Sequence, residues 1–229
     1  MIDIMCLAVL GLVTWCVASE GGWGAVVTCL AVIFSGLIAM NFFEPLAIFL
    51  EAQFSSWGDK FDFICLVGLF ALAVTLIRLG TEQLAPTNVE MPALVQHIVR
   101  WAFALATGYV TVGFLLTALH TTTVPLDAIG FRPERKNFLS LAPDRQWLAF
   151  TQHVSEDVFP RRQLVQAAGE QRYVKRIFDG MLYTIPGAQR ELYLPTFAIR
   201  YGTRRDMGTL PPPPPTLTPS SGSGGNAVF

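Results

Sequence analysis

The stretch GGWGAVVTCLAVIFSGLIAMNFF, residues 21–43, contains no charged residue and decides the fold class of the chain. Three further uncharged apolar stretches occupy residues 4–19, 63–77 and 101–119. A helix needs about 20 mostly apolar residues to cross a hydrocarbon layer about 30 Å thick. The second and fourth stretches reach that length alone, and flanking residues extend the other two. The sequence therefore predicts four transmembrane helices within residues 1–120.

Charge is distributed unevenly along the chain. Residues 1–77 contain one basic residue, Lys60, against six acidic ones, whereas residues 121–229 contain thirteen basic and nine acidic ones. Residues 1–77 are therefore suited to lipid and residues 121–229 to water. The lipid bilayer is the partner that the composition predicts. The net charge of −1 and the interspersed arginines give no indication of a nucleic-acid partner. Asp3 and the lack of any preceding Lys or Arg also favour a retained first span over a cleaved signal peptide.

The segments between the spans indicate where the helices end and how they are connected. Glu20 to Gly22 leave so short a connection that the first two spans must form an antiparallel hairpin, and Pro45 is expected to stop the second span. Residues 46–57 form an apolar helical stripe, which fits a helix lying on the membrane surface and equally one packed against the bundle. The polar segment 80–90 precedes a fourth helix that is expected to begin near Pro92.

The C-terminal part has an ordinary soluble composition. Pro143 and Asp144 predict a helix start, a second helix is expected over residues 161–178, and alternation over residues 193–201 predicts a strand. The predicted fold is an all-α membrane protein. Its domains are a four-helix transmembrane domain (1–120), a small mixed α/β soluble region (121–208) and a disordered Pro/Gly/Ser tail (209–229).

No catalytic or metal-binding motif is found in the sequence. His97, His120 and His153 are far apart, and the acidic pair Glu156–Asp157 is interpreted as surface charge. The four cysteines lie in apolar spans without C-x-x-C spacing, which favours a packing role: they are Cys6, Cys16, Cys29 and Cys65. We therefore expect no catalytic residue, metal or cofactor.

Ionisable residues near the span ends are the better functional candidates, because a charge at membrane depth is costly. These residues are Asp3, Asp62, Arg78 and Arg100, and interface anchoring is the simpler role for each. In the fourth span, two pairs of small residues four positions apart allow close helix packing: Ala102 with Ala106 and Ala104 with Gly108. Packing within the bundle is favoured over self-association.

The layout of four spans, the opening Met1-Ile2-Asp3-Ile4, the polar third loop and Arg100 at the start of a small-residue-rich fourth span resembles the colicin V production protein (CvpA) family. The resemblance covers residues 1 to about 120, with residues 121–229 as an added tail. It implies a bacterial inner-membrane protein linked to toxin production or export and to envelope upkeep, with no established catalytic activity. Asp3 and Arg100 are the residues of this chain that match functional positions of the family, as far as the resemblance implies.

Two functions of different classes follow. The leading hypothesis is a non-enzymatic integral membrane component of an envelope or secretion process, whose tail binds partners. The alternative is a small channel or transporter subunit that assembles through the fourth span. An intramembrane enzyme is disfavoured, because no nucleophile and base are paired.

The basic residues near the membrane predict the orientation of the tail. An even number of spans places both termini on one side, where the basic residues are Lys60, Arg132, Arg135 and Lys136. Arg78 and Arg100 lie on the other side, so the positive-inside rule predicts a cytoplasmic tail. A reporter that is active only in the periplasm, fused after Val228, is expected to be inactive, and activity there would contradict this orientation.

Overall fold

A computed structural model describes residues 1–53, 58–84, 92–122, 130–131, 138–159, 161–167, 170–176, 180–184 and 191–195, with Phe197 and Tyr201. Five α-helices follow along the chain: α1 (Ile2–Ser19), α2 (Gly21–Gln53), α3 (Gly58–Leu84), α4 (Ala93–His120) and α5 (Pro143–His153). A π-helical turn (Val154–Val158) and four strands come next: β1 (Arg161–Ala167), β2 (Glu170–Arg176), β3 (Gly180–Thr184) and β4 (Glu191–Pro195).

The four predicted spans are confirmed by helices α1 to α4. Each of these helices is long and apolar enough to cross a membrane, by length and composition. They extend beyond the predicted stretches, most of all α2, which has 33 residues. The chain is therefore a membrane protein built on four long apolar α-helices.

Helices α2 and α4 form the central pair of the bundle. α3 packs mainly against α2, and α1 mainly against α4, so the order across the bundle is α1, α4, α2, α3. The main core cluster joins α2, α3 and α4 and includes the buried side chains of Phe43, Leu66 and Phe114. The outer helices α1 and α3 leave most of their apolar surface uncovered, as a lipid-facing helix does.

The bundle has two ends, which we name after residues near them. The His120 end contains the start of α1, the end of α2, the start of α3 and the end of α4. The Arg78 end contains the α1–α2 link, the end of α3 and the start of α4. The link is as short as predicted, and Gly21 takes a φ of +90° there, a left-handed conformation that glycine adopts without strain.

The prediction that Pro45 stops the second span is wrong, because α2 continues through it to Gln53. Proline removes one backbone donor, but packing of the following turns outweighs that loss. Ala47 is buried, and Leu46 and Leu50 pack against the main core cluster, whereas Phe49 remains exposed. Of the two roles open for this stripe, the described part favours packing against the bundle.

Helices α1 and α4 approach closely at Gly108. A Cβ atom at this position would lie 2.8 Å from Thr14 Oγ1 and 2.9 Å from the Leu10 carbonyl oxygen, so a larger residue requires the helices to separate. One turn earlier, Thr14 Oγ1 donates a hydrogen bond to the Ala104 carbonyl at 3.4 Å. Ala104 and Gly108 thus pack inside the bundle, while Ala102 and Ala106 lie on the exposed face of α4.

A short left-handed segment leads the chain into α5. Phe138, Leu139, Ser140 and Ala142 all have φ between +50° and +65°. Non-glycine residues in this region are strained by about 1–3 kcal/mol each, so the surroundings must hold them. Phe138 and Ala142 are buried, and Leu141 N donates to the Phe138 carbonyl at 2.9 Å. Packing of the segment thus offsets its strain and sets the direction of α5.

Helix α5 begins at Pro143, as predicted, and packs into the bundle beside α4. The Pro143 carbonyl oxygen lies 2.9 Å from a Cβ built at Gly113, two turns before α4 ends. The ring of Trp147 fills the space beside Gly36 of α2, where a built Cβ would lie only 2.5 Å from the ring. Trp147 also meets the edge of Phe114, with ring centroids 6.1 Å apart. Glycines on two central helices therefore make room for α5.

After α5 the backbone forms two antiparallel hairpins. β1 pairs with β2, with Leu164 opposite Tyr173, and β3 pairs with β4, with Leu182 opposite Tyr193. The helix predicted over residues 161–178 is therefore wrong, since β1 and β2 occupy most of it. The two strands pair along their whole length, from Arg161 opposite Arg176 to Ala167 opposite Glu170, so cross-strand pairing replaces the helix that the spacing favoured. The predicted strand over 193–201 is confirmed only to Pro195, because Phe197 and Tyr201 are helical and buried in the main core cluster.

Several predictions fall outside the described residues. They are the disordered tail 209–229, most of the polar loop 80–90, the end of the stripe at Phe54 and Trp57, and the basic residues Arg132, Arg135 and Lys136.

The contact between Trp147 and Gly36 predicts a large effect of a small substitution. Gly36→Ala places a methyl group against a rigid buried ring, and overpacking of this kind typically costs about 1–3 kcal/mol. Unfolding by SDS titration in mixed micelles measures the loss. Gly68→Ala is the matched control, because a Cβ at Gly68 of α3 meets open space. The control is expected to be neutral or more stable by up to about 1 kcal/mol, and equal losses in both variants would contradict the packing of α5.

Candidate functional site

A buried pair of hydrogen-bonded side chains lies where α4 ends and α5 begins. His120 Nε2 is 2.9 Å from Asp144 Oδ2, a hydrogen-bonding distance, and the two side chains are 4% and 0% exposed. His120 is the last residue of α4 and Asp144 the second residue of α5, so the pair joins the two helices. Buried ionisable groups are retained only with a partner, and each of these residues supplies one to the other.

Other polar groups surround this pair. Thr117 Oγ1 donates to the Gly113 carbonyl at 2.9 Å and lies 3.4 Å from the Asp144 carbonyl. The edge of Phe131 packs against the His120 ring, with centroids 5.2 Å apart. Within the described part of the chain, Asp144 Oδ1 and Trp147 Nε1 are buried without a hydrogen bond. The junction of α2, α4 and α5 thus keeps polar groups buried at an energetic cost, which marks it as a candidate site.

The start of α1 contacts the same end of the bundle. Asp3 Oδ1 accepts a hydrogen bond from the Leu139 backbone N–H at 3.3 Å. Ile2 and Cys6 form a second core cluster with Leu116 of α4 and Phe138 of the left-handed segment. Asp3, one of the predicted positions, therefore helps to hold the segment that leads into α5.

A second polar group of residues lies at the Arg78 end. Arg78 Nη1 lies 2.5 Å from Glu20 Oε2 and also donates to Thr28 Oγ1, while Arg78 Nη2 lies 2.8 Å from Glu82 Oε1. Thr28 Oγ1 donates in turn to Glu20 Oε2 at 2.7 Å and lies 2.8 Å from the Gly24 carbonyl. The guanidinium therefore joins α3 to the α1–α2 link, and the expected anchoring of Arg78 at the membrane interface stays a prediction.

Arg100 lies at the same end but has different surroundings. Its guanidinium carbon is 5.5 Å from the ring centroid of Trp101, and Trp101 is half exposed. Its Nε atom is buried and forms no hydrogen bond within the described residues. Arg78 and Arg100 thus share one end of the bundle, while Asp3 lies at the other.

The sequence alone did not single out His120, Asp144 or Glu20. His120 and Asp144 are 24 positions apart, and no local spacing connects them. One signal was present: Asp144, Trp147 and Thr151 recur at helical spacing, so an acid shares the apolar face of α5, and all three are buried. An acid on the buried face of a helix indicates a partner on a neighbouring element.

The remaining candidates are placed as follows. Cys6, Cys29 and Cys65 are buried and Cys16 is exposed, all as free thiols. His153 pairs with Asp157 at 3.1 Å on the exposed surface of the π-helical turn. In the part of the chain that the structure describes, no three His, Cys, Asp or Glu side chains are grouped closely enough to hold a metal ion.

Comparison with protein-family models, with curated proteins and with solved structures finds no match. The candidate site is therefore defined by its own geometry.

Removing one partner of the buried pair is expected to destabilise the protein. Asp144→Ala leaves His120 buried without its carboxylate, and an unsatisfied buried polar group costs about 1–3 kcal/mol. Asp144→Asn keeps an oxygen that can accept the hydrogen bond, so we expect a smaller loss. SDS titration in mixed micelles again measures both.

His153→Ala is the matched control, since it removes an exposed His–Asp pair at the other end of α5. Exposed pairs of this kind typically contribute about 0–1 kcal/mol. Equal stability of Asp144→Ala and the wild type would contradict a structural role of the buried pair.

Proposed function

We propose that this protein is a non-enzymatic integral membrane component of the colicin V production protein (CvpA) type, which holds its C-terminal region at one membrane surface for partner proteins. The setting is the bacterial inner membrane, and the process is toxin production or secretion together with envelope upkeep. The C-terminal region of this proposal is residues 121–208, for which we propose a small mixed α/β fold. The proposal rests on the sequence resemblance for the setting and on helix α5 for the role.

The observation that carries the proposal is the anchoring of α5 to the bundle. Trp147 packs between Gly36 and Phe114, and Asp144 pairs with His120, so α5 is fixed to both central helices. The hairpins follow α5 after only the π-helical turn. A partner that contacts the hairpins is thereby linked to the membrane bundle through a short, packed connection rather than a free tether.

The arrangement of the helices also favours an assembly role over a channel or transporter. Its helices pack in the order α1, α4, α2, α3, and the two outer helices are mostly uncovered, so the four described helices are not arranged around a central path. The polar pairs His120–Asp144 and Arg78–Glu20 lie near opposite ends of the spans. Transporters usually place such groups near the bilayer midplane.

Co-purification from native membranes tests the proposal. After chemical cross-linking, the full chain is expected to retain a specific membrane or soluble partner. Trp147→Ala inserts the same four spans but loosens α5, so we expect it to recover at least about fivefold less of that partner. This factor corresponds to about 1 kcal/mol, which is well below the loss of about 3–5 kcal/mol typical of truncating a buried Trp.

Gly68→Ala serves as the control for expression and insertion. Recovery of the protein alone, as a monomer, would contradict the scaffold function. Equal partner recovery from wild type and Trp147→Ala would contradict the role of α5 in presenting the C-terminal region.

The second candidate function is a small channel or transporter subunit. It is favoured by the exposed small residues Ala102 and Ala106, which would allow α4 of one copy to approach another closely. Purified protein in liposomes separates the two functions. Solute or ion flux that is lost in Ala102→Leu but kept in Gly68→Ala would support the channel subunit, whereas no flux agrees with the scaffold.

A further inference from the structure

The first turn of α5 contacts the two central helices well inside their apolar stretches. The Trp147 ring lies beside Gly36 of α2, and the Pro143 carbonyl oxygen lies beside Gly113 of α4. Gly36 is eight residues before Glu44, the first charge after the uncharged stretch, which is about 12 Å along a helix. Gly113 is seven residues, about 10 Å, before the end of α4. Both contacts therefore lie at a depth where these spans cross hydrocarbon.

Hydrogen bonds follow the chain from the end of the bundle to this depth. Asp3, at the start of α1, accepts a hydrogen bond from the Leu139 backbone N–H. Two residues later, the Leu141 carbonyl accepts one from Gln146 Nε2 at 3.0 Å. Gln146 Oε1 in turn accepts one from the Tyr109 hydroxyl at 2.9 Å. Tyr109 is eleven residues, about 16 Å, before the end of α4, so the left-handed segment leads inward along that helix.

The chain then returns to the end from which it came. Phe197 meets the edge of the Phe43 ring, with centroids 6.5 Å apart. Phe43 directly precedes Glu44, so this contact lies at the His120 end of α2. A segment that enters and leaves by the same end, and reaches the depth of Gly36 between the two, has the path of a re-entrant membrane segment.

The backbone of the segment is also suited to hydrocarbon, where irregular chain is tolerated only if the protein satisfies its polar groups. Leu141 N donates to the Phe138 carbonyl at 2.9 Å, and the Leu141 carbonyl has its bond from Gln146. The Gln146 side chain is exposed, but its amide oxygen and nitrogen are both bonded within the protein. Arg145 is exposed too, and its long side chain can extend toward the headgroups. The exposed Leu141 side chain is apolar and suited to lipid.

We propose that residues 138–147 form a re-entrant segment, which enters the bilayer from the His120 end, is held there by Gln146 and places the Leu141 side chain against lipid acyl chains. The partner follows from depth, because an apolar side chain exposed beside the middle of a span faces hydrocarbon. The proposal concerns where the segment lies and does not require a protein partner. It can therefore fail while the proposed function stands, and the reverse also holds.

Spin labels test the depth of the segment. A nitroxide is attached at Leu141→Cys in lipid nanodiscs, in a full chain whose four native cysteines are replaced by alanine. Its collisions with oxygen, which concentrates in lipid, and with a water-soluble nickel chelate are measured. Leu105→Cys on the exposed face of α4 is the lipid reference, and Asp157→Cys on the exposed π-helical turn is the water reference.

We expect the label at Leu141→Cys to match the lipid reference, with frequent oxygen collisions and rare nickel collisions. A match to the water reference would overturn the proposal. Rare collisions with both reagents would also overturn it, because the side chain would then be covered by protein.

A second measurement keeps the native cysteines. Leu141→Cys and Asp157→Cys, each in the otherwise unchanged chain in liposomes, react with N-ethylmaleimide, and peptide mass spectrometry reads the rate at each position. The reactive thiolate is disfavoured in apolar surroundings, so we expect Leu141→Cys to react at least about tenfold more slowly. Equal rates would overturn the proposal even if the cysteine-free variant fails to fold.

Removing the Gln146 amide tests what holds the segment in the membrane. Gln146→Ala leaves the Leu141 carbonyl without its donor, so we expect nickel collisions of the label at residue 141 to rise at least about twofold. Gln152→Ala, further along α5, is the matched control and is expected to leave the collisions unchanged. Unchanged collisions in Gln146→Ala, or an equal rise in Gln152→Ala, would overturn the role of Gln146.

Discussion

The position of α5 depends on the contact between the Trp147 ring and the glycine face of α2. Gly36 has no side chain, and any other residue there would place its Cβ atom 2.5 Å from the Trp147 ring. The ring fills this space and also contacts Phe114. This packing draws the start of α5 alongside the last two turns of α4, which places Asp144 within hydrogen-bonding distance of His120. Apolar packing therefore fixes the geometry, and the pairing then gives His120 Nε2 and Asp144 Oδ2 a partner each.

The ionisable side chains at the two ends of the bundle have different surroundings. At the His120 end, the ionisable groups that join α4 to α5 are buried and paired with each other. At the Arg78 end, one arginine is paired with carboxylates of the α1–α2 link and of its own helix, whereas Arg100 lies beside an exposed tryptophan. One end therefore holds a further segment of the chain, and at the other an ion pair joins α3 to the α1–α2 link.

Hydropathy was sufficient to predict the four spans, because a membrane requires long uncharged helices whatever their packing. The start of α5 was predicted from a different signal, the Pro143–Asp144 pair that is typical of a first helical turn. The end of α2 was predicted wrongly, since Pro45 is tolerated where later turns are packed. The hairpins in place of a helix over 161–178 were missed because short amphipathic segments carry mixed periodicity. The pairing of His120 with Asp144 could not be predicted at all, since it arises only when α5 folds back onto α4.

The most direct test of the account is backbone hydrogen exchange of α5 in lipid nanodiscs. An amphipathic helix lying free at the surface would exchange its amides within seconds, whereas a helix packed against α2 and α4 is protected by the opening free energy of the bundle. We predict that the amides of the last two turns of α5 are protected to within about tenfold of those near Phe114, and that Asp144→Ala removes this protection. Complete exchange of α5 within seconds in the wild type would contradict the account.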